Sequence, residues 1–151
     1  MKKIILLLGI ALLVSCKSKN GTTDRSIEMV KAEDVDKVKS DRAYELGKRV
    51  LEACNTSRFK PFSSNEATEK VRQNATKEKI SSTCQKINQR YGRFKGLNLI
   101  DITHNKNTDE YVFRYSIDYE KKYFKKELKV TVNGENKVSG IATQEVPQKP
   151  M

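Results

Sequence analysis

The apolar residues of the chain change their period near its middle, from helical spacing to strict alternation. From about Val38 to Cys54 they recur at three- and four-residue steps, which is one face of an amphipathic helix. A candidate N-cap at Ser64 predicts a short second helix over about Asn65 to Gln73. Apolar spacing again predicts a third helix, capped by Asn74 or Thr76 and running to Tyr91. The first half of the chain is therefore predicted to be helical.

After Gly92 the period is two, and the sequence offers four strand-like segments. The second of them is the clearest, because an aromatic and apolar face alternates with a mostly polar one. Asn133-Gly134 signals a hairpin after the third. The predicted strands are Phe94–Thr103, Tyr111–Tyr119, Tyr123–Val132 and Lys137–Thr143. Three helices followed by four such strands predict an α+β domain, with the three N-terminal helices packed on a four-stranded antiparallel meander.

The first sixteen residues, MKKIILLLGIALLVSC, have the anatomy of a signal peptide. Two lysines precede an apolar stretch from Ile4 to Val14, and a small residue then precedes a cysteine. The apolar stretch is about half of the roughly 20 residues that a transmembrane helix needs. The pattern predicts export and not a permanent membrane span.

The last four of these residues, Leu13, Val14, Ser15 and Cys16, resemble the bacterial lipobox. The resemblance implies that Cys16 receives a diacylglyceryl group and that residues 1–15 are removed as a signal peptide. Two or three acyl chains would make a stable anchor. Lys17 follows the cysteine in place of aspartate, which favours the outer membrane and a periplasm-facing protein. The alternative is an ordinary secretory signal that leaves Cys16 as a free thiol.

Composition divides the rest of the chain into one domain and two polar ends. Residues 16–36 contain one glycine and no sustained apolar period, which predicts a lipidated, flexible tether. The α+β domain is predicted to span residues 37–144, and residues 145–151 form a polar tail. This length is enough to bury a single sizeable core.

The protein stays basic after the signal is removed. Loss of Lys2 and Lys3 lowers the formal charge from +11 to +9. A basic chain can bind nucleic acid, an acidic polymer or an anionic membrane, and export argues against nucleic acid. The densest charged block, Glu120 to Lys126, lies at a predicted hairpin turn. A solvated surface is the favoured interpretation of these charges, and attraction to anionic lipid head groups or to envelope polysaccharide is the alternative.

The stretch from Ala43 to Ile141 resembles small secreted domains of the nuclear-transport-factor-2-like superfamily, a cystatin-like α+β fold. The segments AYELGKRVLEACNTSRFKPF, QRYGRFKGLNL and ELKVTVNGENKVSGI carry the resemblance. It implies a strongly curved sheet wrapped around the first helix, forming a cone whose open end holds a small ligand or docks a partner. The superfamily includes enzymes and binding modules, and the Asp, His or Tyr that its enzymes place inside the cone has no match here.

Two sites of side-chain chemistry stand out. Cys54 and Cys84 lie on the apolar faces of two predicted helices, in a compartment where disulfides persist. If those helices pack together, the two cysteines could be bridged; the alternative is two small buried thiols. His104 lies near Asp101 and Asp109 and could be half of an acid–base pair, although a lone loop histidine without a nucleophile is usually solvated.

The aromatic face of the second strand has two interpretations. Tyr111, Phe113, Tyr115 and Tyr119 could line a ligand cavity, where rings give contact area and hydroxyls give orientation. The favoured alternative is a core packed against the first helix, with Tyr111 or Tyr119 nearest to a cavity mouth. No catalytic residue, metal site or cofactor is predicted, because the motifs for them are missing from the sequence.

The leading functional hypothesis is a non-catalytic, lipid-anchored envelope protein that binds a small ligand or another envelope protein. Two alternatives remain: a small enzyme that uses the cone cavity, and a protective, immunity-type protein that acts through its surface. Charged residues on the outer face of the sheet, namely Lys125, Glu127 and Lys129, favour a monomer.

Overall fold

The computed structural model describes residues 26–147. The predicted signal peptide, the predicted lipid site at Cys16, the first ten residues of the predicted tether and the last four residues of the chain lie outside this range. The helices are α1 (Lys37–Thr56), α2 (Glu69–Asn74) and α3 (Lys77–Tyr91), after a short 3-10 turn at Ala32–Asp34. The strands are β1 (Ile27–Val30), β2 (Phe94–Asn105), β3 (Glu110–Tyr119), β4 (Lys126–Val132) and β5 (Val138–Glu145). They form one antiparallel sheet in the order β1-β2-β3-β4-β5, which confirms the α+β class and the three helices.

The prediction of four strands was wrong, because a fifth strand lies in the segment assigned to the tether. β1 pairs with the end of β2, from Ile27 opposite Asn105 to Val30 opposite Ile102. Ile27 and Met29 are 51% and 71% exposed, so the strand buries little side chain. Backbone pairing holds an edge strand of this kind, and backbone pairing leaves no apolar alternation in a sequence.

Side-chain caps fix the start of the two long helices. The Asp36 carboxylate accepts a hydrogen bond from the Val38 N–H at 2.8 Å, and the Thr76 hydroxyl accepts one from the Lys79 N–H at 3.3 Å. α2 begins later than predicted, at Glu69, because the preceding residues pair with the start of β5 through a bridge between Ala67 and Val138. Tertiary pairing overrides the local helix signal there.

α1 lies directly on the sheet, and Gly47 permits the close approach. A Cβ atom at this position would be 2.7 Å from Leu128 Cδ2 and 3.2 Å from Val130 Cγ2, both on β4. The buried face of the sheet and the inner face of α1 form one core with α3 and the aromatic residues of the α1–α2 loop. The largest fully buried side chains of this core include Phe113, Leu46, Leu51, Ile102 and Leu128.

Several strand boundaries differ from the prediction at loops. β2 continues to Asn105, so His104 lies at the end of a strand and not in the predicted loop. β4 begins at Lys126, three residues after the predicted start, and β5 extends to Glu145, one residue into the predicted tail. The predicted hairpin joins β4 and β5, but its loop spans residues 133–137. Asn133 organises the loop, because its side-chain oxygen accepts hydrogen bonds from the N–H groups of Glu135 and Lys137.

An ion pair ties α1 to the loop before α2. Arg49 Nη2 lies 2.7 Å from Glu66 Oε1, and Arg49 Nη1 lies 3.1 Å from Glu66 Oε2. The Ser63 N–H also donates to Glu66 Oε2, at 2.9 Å. The hydrogen bonds from Arg49, supported by the Ser63 N–H and opposed by burial, lower the pKa of Glu66 from its ordinary 4.5 to about 2.

This shifted pKa predicts a loss of stability in acid. A depressed carboxyl pKa stabilises the fold above the unfolded pKa, and the stabilisation disappears as pH falls from about 4.5 toward 2. We expect the Glu66→Gln variant to be less stable than wild type at pH 6, and the difference to shrink by about 2 kcal/mol by pH 3. Urea unfolding at a series of pH values measures it. A difference that stays constant with pH would contradict the assignment.

Candidate functional site

A groove of about 320 Å³ opens between the helices and the last strand of the sheet. Residues of all three helices and of β5 line it. Its walls are mostly aliphatic: Val50, Leu51, Val71, Ile80, Ile87 and Ile141. The volume lies within the range of sites that hold small molecules, and mostly apolar walls are typical of such sites.

A disulfide between Cys54 and Cys84 joins α1 to α3, and both cysteines line the groove. The S–S distance is 2.08 Å and the Cα atoms are 4.7 Å apart. One helical turn further along α3, the Asn88 side-chain amide donates to the Cys54 carbonyl at 2.7 Å. The two helices are thereby fixed to each other at the wall of the groove.

Polar side chains interrupt the apolar lining. They are Lys70, Asn74, Thr83, Ser139 and Thr143. Lys70 is exposed and forms no ion pair with any described residue. The groove therefore combines an apolar interior with one available ammonium group.

β5 forms one wall of the groove and is the last strand of the sheet. On its outer side the segment before α2 pairs with Val138 alone, within residues 26–147. Thr68 N–H donates to the Val138 carbonyl, and Val138 N–H donates to the Glu66 carbonyl, each at 3.0 Å. The remaining length of β5 is an open sheet edge beside the groove.

The aromatic residues predicted from β3 lie away from this groove. Phe113, Tyr115 and Tyr119 are buried in the core, and burial raises the pKa of both tyrosines. Tyr115 packs edge-to-face on Tyr44 of α1, with ring centroids 6.3 Å apart. These side chains belong to the core that α1 covers and do not line the groove.

Tyr111 is half-buried and stacks on His104, with ring centroids 4.1 Å apart. His104 Nε2 lies 3.1 Å from Asp109 Oδ1, and its Nδ1 lies 3.9 Å from Glu28 Oε1 of β1. Asp101, the other carboxylate near His104 in sequence, instead pairs with Arg114. His104 thus links β1 to the β2–β3 turn.

A second cavity, of about 370 Å³, lies at the opposite end of β3 under the β3–β4 loop. Tyr119 contributes to its lining, together with Phe124 and Lys126. Tyr119 stacks on Tyr91 with ring centroids 5.1 Å apart, and the Tyr91 hydroxyl bonds to Glu145. We call the exposed loop residues 120–125, together with Arg93 and Lys95, the basic tip.

Sequence reasoning missed the groove, although it selected Cys54 and Cys84. Alternation is strong on β3, which drew attention to the aromatic face, whereas the groove is assembled from separate positions on four elements. Ile80 and Thr83 occupy the α3 side of the groove without a distinctive motif. The available signal was the pair of cysteines on two helix faces.

Within residues 26–147, no group of three or more His, Cys, Asp or Glu side chains is arranged to hold a metal ion. A search of the same residues for a helix with the length and apolar character needed to cross a bilayer finds none. No family model, curated protein or solved structure matches the chain. The resemblances of Ala43–Ile141 and of Leu13–Cys16 to known groups therefore stay predictions from sequence.

Proposed function

We propose that this chain is a lipid-anchored, periplasm-facing envelope protein whose domain binds a small anionic amphiphile without chemical conversion. The groove between the helices and β5 is the observation that carries the proposal. In this account Cys16 holds the lipid and the outer membrane holds the protein. The folded domain acts as a monomer, with its outer sheet face turned to water.

The groove suits a ligand with an apolar body and a negative head group. Its aliphatic walls would remove the apolar body from water, at about 25 cal/mol for each Å² buried. Lys70 provides a charge for the head group, and Asn74 and Thr143 are further polar groups for orientation. A chain or ring system carrying a carboxylate, sulfonate or phosphate fits this combination.

The lining of the groove favours binding over catalysis. Lys70 is its one side chain with an ionisable group, since Cys54 and Cys84 are consumed in the disulfide. General acid–base catalysis needs a positioned titratable group, with its pKa near the working pH. An exposed lysine at a groove edge is better suited to charge pairing.

We also propose that the sheet has the cone-like curvature of the nuclear-transport-factor-2-like superfamily. Register shifts in β2, between Phe94 and Gly96 and between Leu99 and Asp101, are the kind of irregularity that bends a sheet. α1 packs against β2, β4 and β5, as a helix inside a curved sheet would. The buried aromatic residues then explain why the ligand site lies at the side of the cone.

The proposal is tested by filling the groove. The probe is 1-anilinonaphthalene-8-sulfonate, an anionic amphiphile, titrated into the mature chain with Cys16 replaced by serine. Thr143 lies opposite buried Leu128 and lines the groove, whereas its neighbour Gln144 points to the other face of the sheet. We expect Thr143→Trp to weaken probe binding at least tenfold, and Gln144→Trp to leave it within twofold.

Tryptophan emission provides a second readout, because the natural chain has no tryptophan. We expect blue-shifted emission from Thr143→Trp and solvent-like emission from Gln144→Trp. A Lys70→Gln variant should weaken the anionic probe but not an uncharged analogue. Equal probe affinity in the two tryptophan variants, with both still folded by circular dichroism, would refute the groove as the ligand site.

A second candidate function is capture of an extended segment of an envelope protein along β5. The open edge of β5 beside an apolar groove favours it, because an added strand could place alternate side chains in the groove. Replacing Thr143 with proline would remove one backbone donor at the edge and keep a small side chain at the groove wall. The Val146–Lys125 hydrogen bond and the register of β5 turn the N–H of Ala142 toward β4 and that of Thr143 outward. That change should abolish strand addition and spare binding of the small probe.

A further inference from the structure

The basic tip brings five exposed cations and two exposed aromatic rings to one end of the domain. The rings are Tyr123 and Phe124, which are 78% and 44% exposed. The cations are Arg93, Lys95, Lys121, Lys122 and Lys125. Phe124 also packs on the end of α3, with its ring centroid 6.1 Å from that of Tyr91 and 4.4 Å from Arg90 Cζ, so Tyr123 is the more exposed ring of the two.

Backbone hydrogen bonds hold the base of the tip. Glu120 N–H donates to the Arg93 carbonyl, Lys121 N–H donates to the Tyr91 carbonyl, and Val146 N–H donates to the Lys125 carbonyl, each at 2.9 Å. The tip is thereby attached to the end of α3, to the start of β2 and to the residue after β5. The side chains above it are presented from a fixed base.

Most of the positive charge at the tip is not neutralised. Lys122 pairs with Asp118, and the Glu120 carboxylate accepts the Arg93 N–H at 3.2 Å. The side chains of Arg93, Lys95 and Lys125 form no ion pair with any described residue. The tip therefore presents a net positive surface to its surroundings.

We propose that the basic tip docks on an anionic lipid bilayer, with Tyr123 and Phe124 at the level of the head groups and the surrounding cations over the phosphates. Aromatic rings are favoured at that level of a membrane. A lysine near an anionic surface is attracted by it, and buried rings add apolar contact. A soluble polyanion would use the cations but has no apolar layer for the rings.

The length of the chain permits this docking together with a lipid on Cys16. The described chain begins at Ser26, beside β1, at the end of β3 away from the tip. Nine residues lie between Cys16 and Ser26, and the ten residue-to-residue steps reach up to about 35 Å. β3 is about as long, at roughly 3.4 Å for each residue. The segment between Cys16 and Ser26 is therefore long enough to span the length of β3, so the tip can dock on the bilayer that holds the lipid.

The test uses the mature chain with Cys16 replaced by serine. Its sedimentation is measured with vesicles of phosphatidylcholine that contain about 30 mol% phosphatidylglycerol, an anionic lipid that attracts basic segments. We expect binding to these vesicles, weaker binding in added salt, and no binding to pure phosphatidylcholine. Lys121→Gln with Lys125→Gln should lower the partition coefficient about 25-fold, from about fivefold for each charge. Tyr123→Ser should also lower it, by several fold.

The control is the double variant Lys60→Gln with Lys77→Gln, which removes the same charge from exposed positions away from the tip. It should reduce binding less than threefold. The proposal is overturned if the two double variants lose binding equally, or if vesicles fail to bind. It is also overturned if the protein binds dextran sulfate as tightly as it binds the vesicles and Tyr123→Ser changes neither of these two affinities. Probe binding by the groove variants is measured without vesicles, so a negative vesicle result leaves the proposed function standing.

Discussion

Replacing both Cys54 and Cys84 with serine is expected to lower the free energy of unfolding by about 3 to 4 kcal/mol. The disulfide closes a loop of 30 residues, and this magnitude follows from the chain entropy that such a loop removes from the unfolded state. Small domains have a total stability of roughly 5–15 kcal/mol, so the loss is a large fraction. We also expect weaker binding of the anionic probe, because both cysteines line the groove.

Urea unfolding of the oxidised wild-type domain, the reduced wild-type domain and the double serine variant measures this effect. The free energies of unfolding of the reduced protein and of the variant should agree within about 1 kcal/mol. This comparison separates loss of the bond from the effect of the serine hydroxyls. Cys16→Ser is the matched control and should change nothing. Equal stability of the oxidised and reduced wild-type domains would show that the bond is not formed in solution.

Replacing Phe113 with alanine is expected to cost about 3 to 5 kcal/mol of unfolding free energy. Phe113 is 1% exposed and lies on the inner face of β3, between Ile102 of β2 and Val130 of β4. Removing its ring would leave a cavity that close-packed neighbours on three strands can fill only in part. The loss is therefore a core effect.

Val112→Ala is the control, because Val112 is the neighbouring residue on the opposite, partly exposed face of β3. It should cost less than about 1 kcal/mol. Thermal or urea unfolding measures both variants, and probe titration follows binding. If Phe113→Ala abolished probe binding at nearly unchanged stability, the aromatic face would line a ligand cavity, and our placement of it in the core would fail.

The sequence was most informative where one face of an element is buried. Alternation from Tyr111 to Tyr119 predicted β3 closely, and the spacing around Leu46 and Leu51 predicted α1, because burial of those faces imposes the period. β1 was missed for the converse reason. β1 is held by backbone hydrogen bonds to β2, and Met29 is exposed. No buried side of this strand imposes an alternation of apolar and polar residues.

The candidate site was less predictable than the fold. The groove lies between α3 and β5; the disulfide joins α3 to α1, and α2 contacts β5. These contacts between elements produce no recognisable sequence pattern around Ile80 or Thr143. The start of α2 shows the same limitation, because pairing of Ala67 with Val138 replaced the first turn that the residues alone would favour.

The edge position of β1 has a mechanical consequence. If the chain is anchored through Cys16 as we propose, a pull on the anchor reaches the folded domain first at Ser26 and Ile27. Because β1 lies antiparallel to β2 on the sheet edge, the load would open its four residue pairs one after another, as a zipper opens. Release of the strand would lengthen the chain between the anchor and the folded domain by about 14 Å, at roughly 3.4 Å for each residue, while the core under α1 stays intact. Under load, β1 would then detach before any element of the core unfolds.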